Sequence, residues 1–177
     1  MANRPEPALA AVDTAYATVR GAVNGLTDEQ ARGASLLPGW SRGHVLTHLA
    51  RSGDGDRRCA QGAARDAVQA KYPEGMEGRA RDVDAGAARP ATVLLADLDV
   101  AQRALVDAWR ALPDEAWERI GDTPMGLRTM TDIVRSRRRE LLVHLVDLDV
   151  GVGPGDLPSD YRVADHDWIE EFRPEWR

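Results

Sequence analysis

The chain has 177 residues, 43% of them hydrophobic, and a formal net charge of −6. That length carries one domain with a full core rather than two, and the acidic balance disfavours nucleic acid as the main partner. A single cysteine, Cys59, excludes an internal disulfide, the start Met-Ala-Asn-Arg-Pro-Glu-Pro lacks a signal-peptide core, and no apolar run nears the ~20 residues that span a bilayer, so a cytoplasmic protein without membrane contact is expected.

The first helix is expected from about Pro7 to Asn24, where Leu9, Val12, Tyr16, Val19 and Val23 step at three and four residues before Gly25. Leu36-Leu-Pro-Gly-Trp40 reads as a turn feeding Ser41, the N-cap of a second helix from Arg42 to about Ala60. From Gly62 to Arg89, interleaved Gly, Ala, Arg and Asp give a long crossover with one short helix near Arg79 to Ala87. Pro90 opens the clearest helix, whose stripe Leu94, Leu98, Ala101, Leu105, Ala108 and Leu112 ends at Pro113. Trp117-Glu-Arg-Ile120-Gly reads as an extended piece covering one end. The fourth long helix spans about Thr129 to Val150. From Ala164 to Arg173, Trp168 and Phe172 fall four apart, so one short helix docks its aromatic face on the rest. The expected fold is all-α: a four-helix bundle with one long crossover and a short C-terminal helix, a single domain over residues 1–177.

Glu140 and His144 stand four apart, about 6 Å along one helix face, a spacing that suits two ligands of one metal ion. On the second helix His44, His48, Ser52, Gly55 and Cys59 fall near one stripe. Its residues are small or weakly polar, so the stripe reads as a pocket lining. Either histidine could complete a His-Glu-His set, which leaves an open position for water or substrate. Acid–base pairs four apart also occur on exposed helices, so spacing alone does not separate ion pair from ligand. Arg137, seven before His144, projects one turn from the same point and is a candidate to hold a substrate carboxylate. Asp147 borders that stripe; Arg135, Arg138 and Arg139 point away, as a solvated basic face. Cys59 lies about 16 Å along its helix from His48 and reads as a buried structural thiol.

Leu37-Pro-Gly-Trp-Ser-Arg-Gly-His-Val-Leu-Thr-His-Leu-Ala50 resembles the N-terminal domain of mycothiol-dependent maleylpyruvate isomerases, a branch of the DinB-like metalloenzymes. Tyr72-Pro-Glu-Gly-Met-Glu-Gly-Arg-Ala, Asp82-Val-Asp-Ala-Gly-Ala, Leu112-Pro-Asp-Glu-Ala-Trp and Arg139-Glu-Leu-Leu-Val-His-Leu-Val-Asp-Leu148 are similar too, in the same order, over roughly residues 8 to 158. The resemblance implies a DinB-like four-helix bundle and a divalent metal, usually zinc, on His48, Glu140 and His144. It favours His48 over His44. It also implies mycothiol as cosubstrate; on the stripe positions, Ser52 and Asp147 are then expected near the thiol and Arg137 on the substrate. The expected activity is isomerisation or S-transfer on a small, carboxylate-bearing electrophile through a metal-bound thiolate. The alternatives are a non-catalytic DinB-like metal- or thiol-binding stress or interaction protein, and a metalloenzyme that uses no thiol. Bundles of this kind pair through apolar faces, so a homodimer is expected; a composition with Lys71 as the only lysine fits a high-GC actinobacterial source. Two departures stand out. The isomerases carry a second domain where residues 159–177 form a short tail. The Arg-Trp-Arg-Glu and helix-2 Asn of the family are here Arg137-Arg-Arg-Glu140 and Ser52.

Overall fold

A computed structural model describes residues 4–176. In chain order the elements are α1 (Glu6–Ala22), α2 (Asp28–Arg32), α3 (Arg42–Ala64), α4 (Gly75–Ala87), α5 (Ala91–Arg110), the hairpin β1 (Ile120–Thr123) and β2 (Gly126–Thr129), α6 (Met130–Asp147), α7 (Ser159–Ala164) and α8 (His166–Phe172). The bundle consists of α1, α3, α5 and α6. Helix α3 is its centre, packed on α5, α6 and α4, while α1 lies along α6. Val12 and Val19, Leu46 and Leu49, Leu98 and Leu105, and Leu141 and Leu145 are buried between them. Their spacing of three, four or seven is what turns a helical stripe into one face of a core.

Two caps set where the site helices begin. Gly39, at φ +78°, makes the turn before α3, a backbone conformation natural to glycine. The Ser41 hydroxyl then accepts the His44 amide, and the His44 ring nitrogen Nδ1 accepts the Ser41 amide at 3.1 Å. Thr129 caps α6 by accepting the Asp132 amide. At the second residue of α3, a Cβ on Gly43 would sit 2.1 Å from the Ala87 carbonyl oxygen, so only glycine lets α4 close onto α3.

The structure departs from the sequence expectations at several points. Helix α4 starts at Gly75, a full turn before Arg79, and α2 lies in a stretch read as loop. Trp117 sits in a 3-10 turn, and residues 120–129 form an antiparallel hairpin, with Ile120 paired to Thr129 and Thr123 to Gly126, rather than a single extended piece. The C-terminal segment is two helices, broken at Asp165, whose carboxylate Arg139 binds through Nε at 2.7 Å. Arg138 likewise binds Asp160 at 2.7 Å, so these two arginines dock the tail rather than facing water; Arg135 alone remains exposed, paired with Asp132.

A further departure concerns the small residues of α3. They admit the returning crossover rather than line an open pocket. Lys71 donates its amide to the Asp122 carbonyl at 2.7 Å, and a Cβ on Gly55 would lie 2.5 Å from the Lys71 side chain. Cys59 meets Gly121 of β1 in the same way. Among the described residues no helix is long and apolar enough to cross a membrane.

Candidate metal centre

His48 lies in the second turn of α3, and Glu140 and His144 lie in the C-terminal half of α6. The contact between these helices brings the three side chains together. His48 Nε2 is 2.8 Å from Glu140 Oε2, and His144 Nε2 is 3.6 Å from the same oxygen. The two imidazoles meet edge to face at 4.6 Å between ring centres. All three ligand atoms lie within 4.8 Å of one another. His48 is 3% exposed, whereas the Glu140 side chain is 32% exposed, so the cluster is closed below and open on one side.

The remaining ring nitrogens have different partners. His144 Nδ1 donates to Asp147 Oδ2 at 2.8 Å, an i,i+3 contact, and Arg173 from the tail donates to the same oxygen at 2.8 Å. A proton on Nδ1 leaves the His144 Nε2 lone pair facing Glu140, the carboxylate–imidazole arrangement that orients metal-binding histidines. His48 Nδ1 instead receives Arg79 Nη2 at 2.9 Å. The Arg79 guanidinium lies 5.6 Å from the Trp40 ring centre and 6.0 Å from that of Tyr72, and Trp40 meets His48 edge-on at 5.8 Å.

Burial lowers the His48 imidazole to about 4, against the pull of the Glu140 hydrogen bond. For Glu140, burial acts upward, but the His48 hydrogen bond, with Lys71 and His144 nearby, holds the carboxyl well below its usual range. Both groups thus bind protons more readily in the unfolded chain than in the folded one. Between an unfolded histidine near 6.5 and the folded value of about 4, falling pH must therefore destabilise the metal-free protein; the Glu140 contribution, present above 4.5, goes next. Urea midpoints of chelator-treated protein are expected to fall steadily as pH is lowered through that window. A flat profile would contradict the assignment.

The other candidate residues occupy different surroundings. Ser52 is buried one turn below His48, its hydroxyl making no hydrogen bond among the described residues. Asp147 holds both His144 and Arg173. Arg137 is 0% exposed: Nε and Nη2 donate to Gln102 Oε1 at 3.2 and 2.9 Å, and Nη1 to the Leu49 carbonyl at 2.9 Å. It therefore ties α3, α5 and α6 together inside the bundle. His44 belongs to the α3 cap, outside the three-residue cluster. Cys59 is buried with its thiol pushed up to about 12 by that burial, an unreactive state.

Sequence reasoning assigned no role to Arg79, Trp40, Tyr72 or the buried Lys71–Asp56 pair, whose Nζ–Oδ1 distance is 2.9 Å. All but Asp56 lie in turns or in the crossover and its helix, where helical spacing carries little signal. The one available sign for Arg79 and Tyr72 was that both fall in a segment of the family resemblance.

Comparison with known proteins gives one family and two structures. The mycothiol maleylpyruvate isomerase N-terminal domain family matches residues 12–149, which include the whole cluster. The crystal structure of the mycothiol-dependent maleylpyruvate isomerase superposes with a TM-score of 0.87 at 22% identity, over 93% of this chain and 68% of that one. A point mutant of that isomerase gives a TM-score of 0.87 at 21% identity over the same shares. At such identities the likeness is one of fold. No curated protein matches. With the match running from within α1 to just past α6, through every bundle helix, the chain belongs to the mycothiol maleylpyruvate isomerase N-terminal domain family.

Proposed function

We propose that this chain is a metal-dependent enzyme that uses mycothiol to isomerise, or to transfer sulfur to, a small electrophile carrying a carboxylate. The observation that carries this reading is the convergence of His48, Glu140 and His144 within 4.8 Å, from two helices, on a spot open at one side. Two imidazoles and one carboxylate suit Zn²⁺ and leave a coordination position for an exogenous ligand. The residues fit such an ion: His48 is buried and neutral at pH 7, and Asp147 fixes the His144 ring with Nε2 toward Glu140. Bound there, a divalent cation stabilises a coordinated thiol as its thiolate near neutral pH.

The chain supplies the rest. Asp147, held by Arg173, orients His144. Trp40 packs on His48 and shields one flank from water. Ser52 lies one turn beneath His48, fully buried, its hydroxyl without a hydrogen-bond partner among the described residues. Isomerisation returns the thiol after each turnover, whereas S-transfer consumes it. Purified protein is therefore expected to contain about one divalent ion per chain, the stoichiometry of a three-ligand site. With mycothiol and a panel of unsaturated keto acids, product should form only when the thiol is present. Folded protein that neither retains nor takes up a divalent ion would overturn the proposal. Turnover that persists without any thiol would remove mycothiol from it.

A further inference from the structure

The two histidines of the cluster are held in opposite tautomers. Asp147 carboxylate accepts from His144 Nδ1, which leaves Nε2 of that ring as a lone pair. The partner of His48 Nδ1 is a guanidinium, which can only donate. Nδ1 of His48 is therefore the acceptor, and its proton sits on Nε2, donated to Glu140 at 2.8 Å. For Nε2 to serve as a ligand, that proton must reside on Nδ1. There it would point at the Arg79 N–H, donor against donor at 2.9 Å. The Arg79–His48 contact and a metal-ligating His48 therefore exclude one another.

The geometry points to Arg79 as a residue released by metal loading and then used to bind the carboxylate of the substrate. This rests on the reading of His48, Glu140 and His144 as a divalent-cation site. Three further observations fit it. Arg79 makes no ion pair among the described residues, whereas its neighbours Arg51, Arg81 and Arg89 each hold a carboxylate, on Asp97, Glu74 and Asp97 respectively. Its guanidinium lies near the Trp40 and Tyr72 rings, which attract a cation by their faces without neutralising it. It is half-buried at the rim of a groove lined also by Tyr72, by the arginines Arg51 and Arg58 and by the carboxylates Glu74 and Asp82, so its guanidinium is reachable from solvent. A planar fork with free N–H groups next to a metal is the arrangement that positions a carboxylate in two-point contact.

The test is the sign of a metal-affinity change. Protein stripped by chelation is titrated with Zn²⁺ against a chromophoric chelator. Arg79→Met is expected to bind Zn²⁺ about two- to tenfold more tightly than the wild type, because the lost hydrogen bond stabilises only the metal-free form. A group that supports a ligand has the opposite effect, and its loss typically weakens metal binding 10–100-fold. Weakened or unchanged affinity in Arg79→Met therefore overturns the proposal. Misfolding cannot imitate a tightening.

A second titration uses pyruvate as the carboxylate probe on the Zn²⁺-loaded proteins. Arg79→Met is expected to bind it about tenfold or more weakly, the usual scale for a hydrogen bond to a charged group, with Arg79→Lys between the two. Equal affinity in all three overturns the anchor. Wild-type protein that binds no Zn²⁺ overturns both this inference and the metal site, whereas the outcomes on Arg79 bear on this inference alone.

Discussion

Glu140→Gln is expected to cost the chain its metal while leaving the bundle folded. Glu140 is the only acidic member of the cluster and stands between both imidazoles, 2.8 Å from one and 3.6 Å from the other. An amide of the same size keeps the packing but offers a neutral oxygen, a poor ligand for a divalent cation. Removing an outer partner of a metal ligand typically costs 10–100-fold in affinity, so loss of the ligand itself should cost at least about 100-fold. Metal content after dialysis should drop to background and thiol-dependent turnover should vanish with it. The urea midpoint of the metal-free variant at pH 7 should stay close to that of the stripped wild type, apart from the loss of one hydrogen-bonded charge. Full metal retention in Glu140→Gln would remove this residue from the site.

The second large effect is on stability. Arg137 is wholly buried and binds Gln102 and the Leu49 carbonyl, joining three of the four bundle helices. Arg137→Ala leaves both a cavity and an unpaired Gln102, so a loss of about 3–4 kcal/mol is expected. Arg137→Met refills most of the volume and removes a charge from the interior, so its cost should be smaller, about 1–2 kcal/mol. Denaturant unfolding of metal-free protein measures both, and the folded Met variant should keep its metal. If Arg137 instead acts on substrate, the pattern reverses, with stability nearly intact and turnover lost.

Arg137 also shows how far helical arithmetic reaches. Its position seven before His144 correctly turned it inward, but angle on a helix does not fix depth, and a long side chain can end among core partners as easily as at a pocket mouth. The same arithmetic served well for α3, α5 and α6, whose apolar stripes are long enough to set both period and face. It put Glu140 and His144 on one face and offered His44 or His48 as the third member, because residues on regular helices inherit that regularity; the choice of His48 came from the family resemblance. It failed on the hairpin, because Gly121-Asp-Thr-Pro-Met-Gly126 has no alternation and its strands are four residues each. It also misjudged Arg138 and Arg139, whose acidic partners lie some twenty residues on in a tail with weak periodicity. Arg79 escaped for a related reason. Its meaning comes from Trp40 and Tyr72, which the fold, not the spacing, places beside it.

The buried Lys71–Asp56 pair has a consequence that reaches beyond the site. Lys71 is the only lysine in the sequence, and it is 7% exposed, locked between Asp56 and the small face of α3. The folded chain therefore presents almost no side-chain amine to solvent. Acylating reagents, aldehyde cross-linkers and lysine-directed tagging enzymes meet an ε-amine only when the crossover lifts off α3. Acylation of Lys71 thus becomes a single-site clock for opening of the bundle.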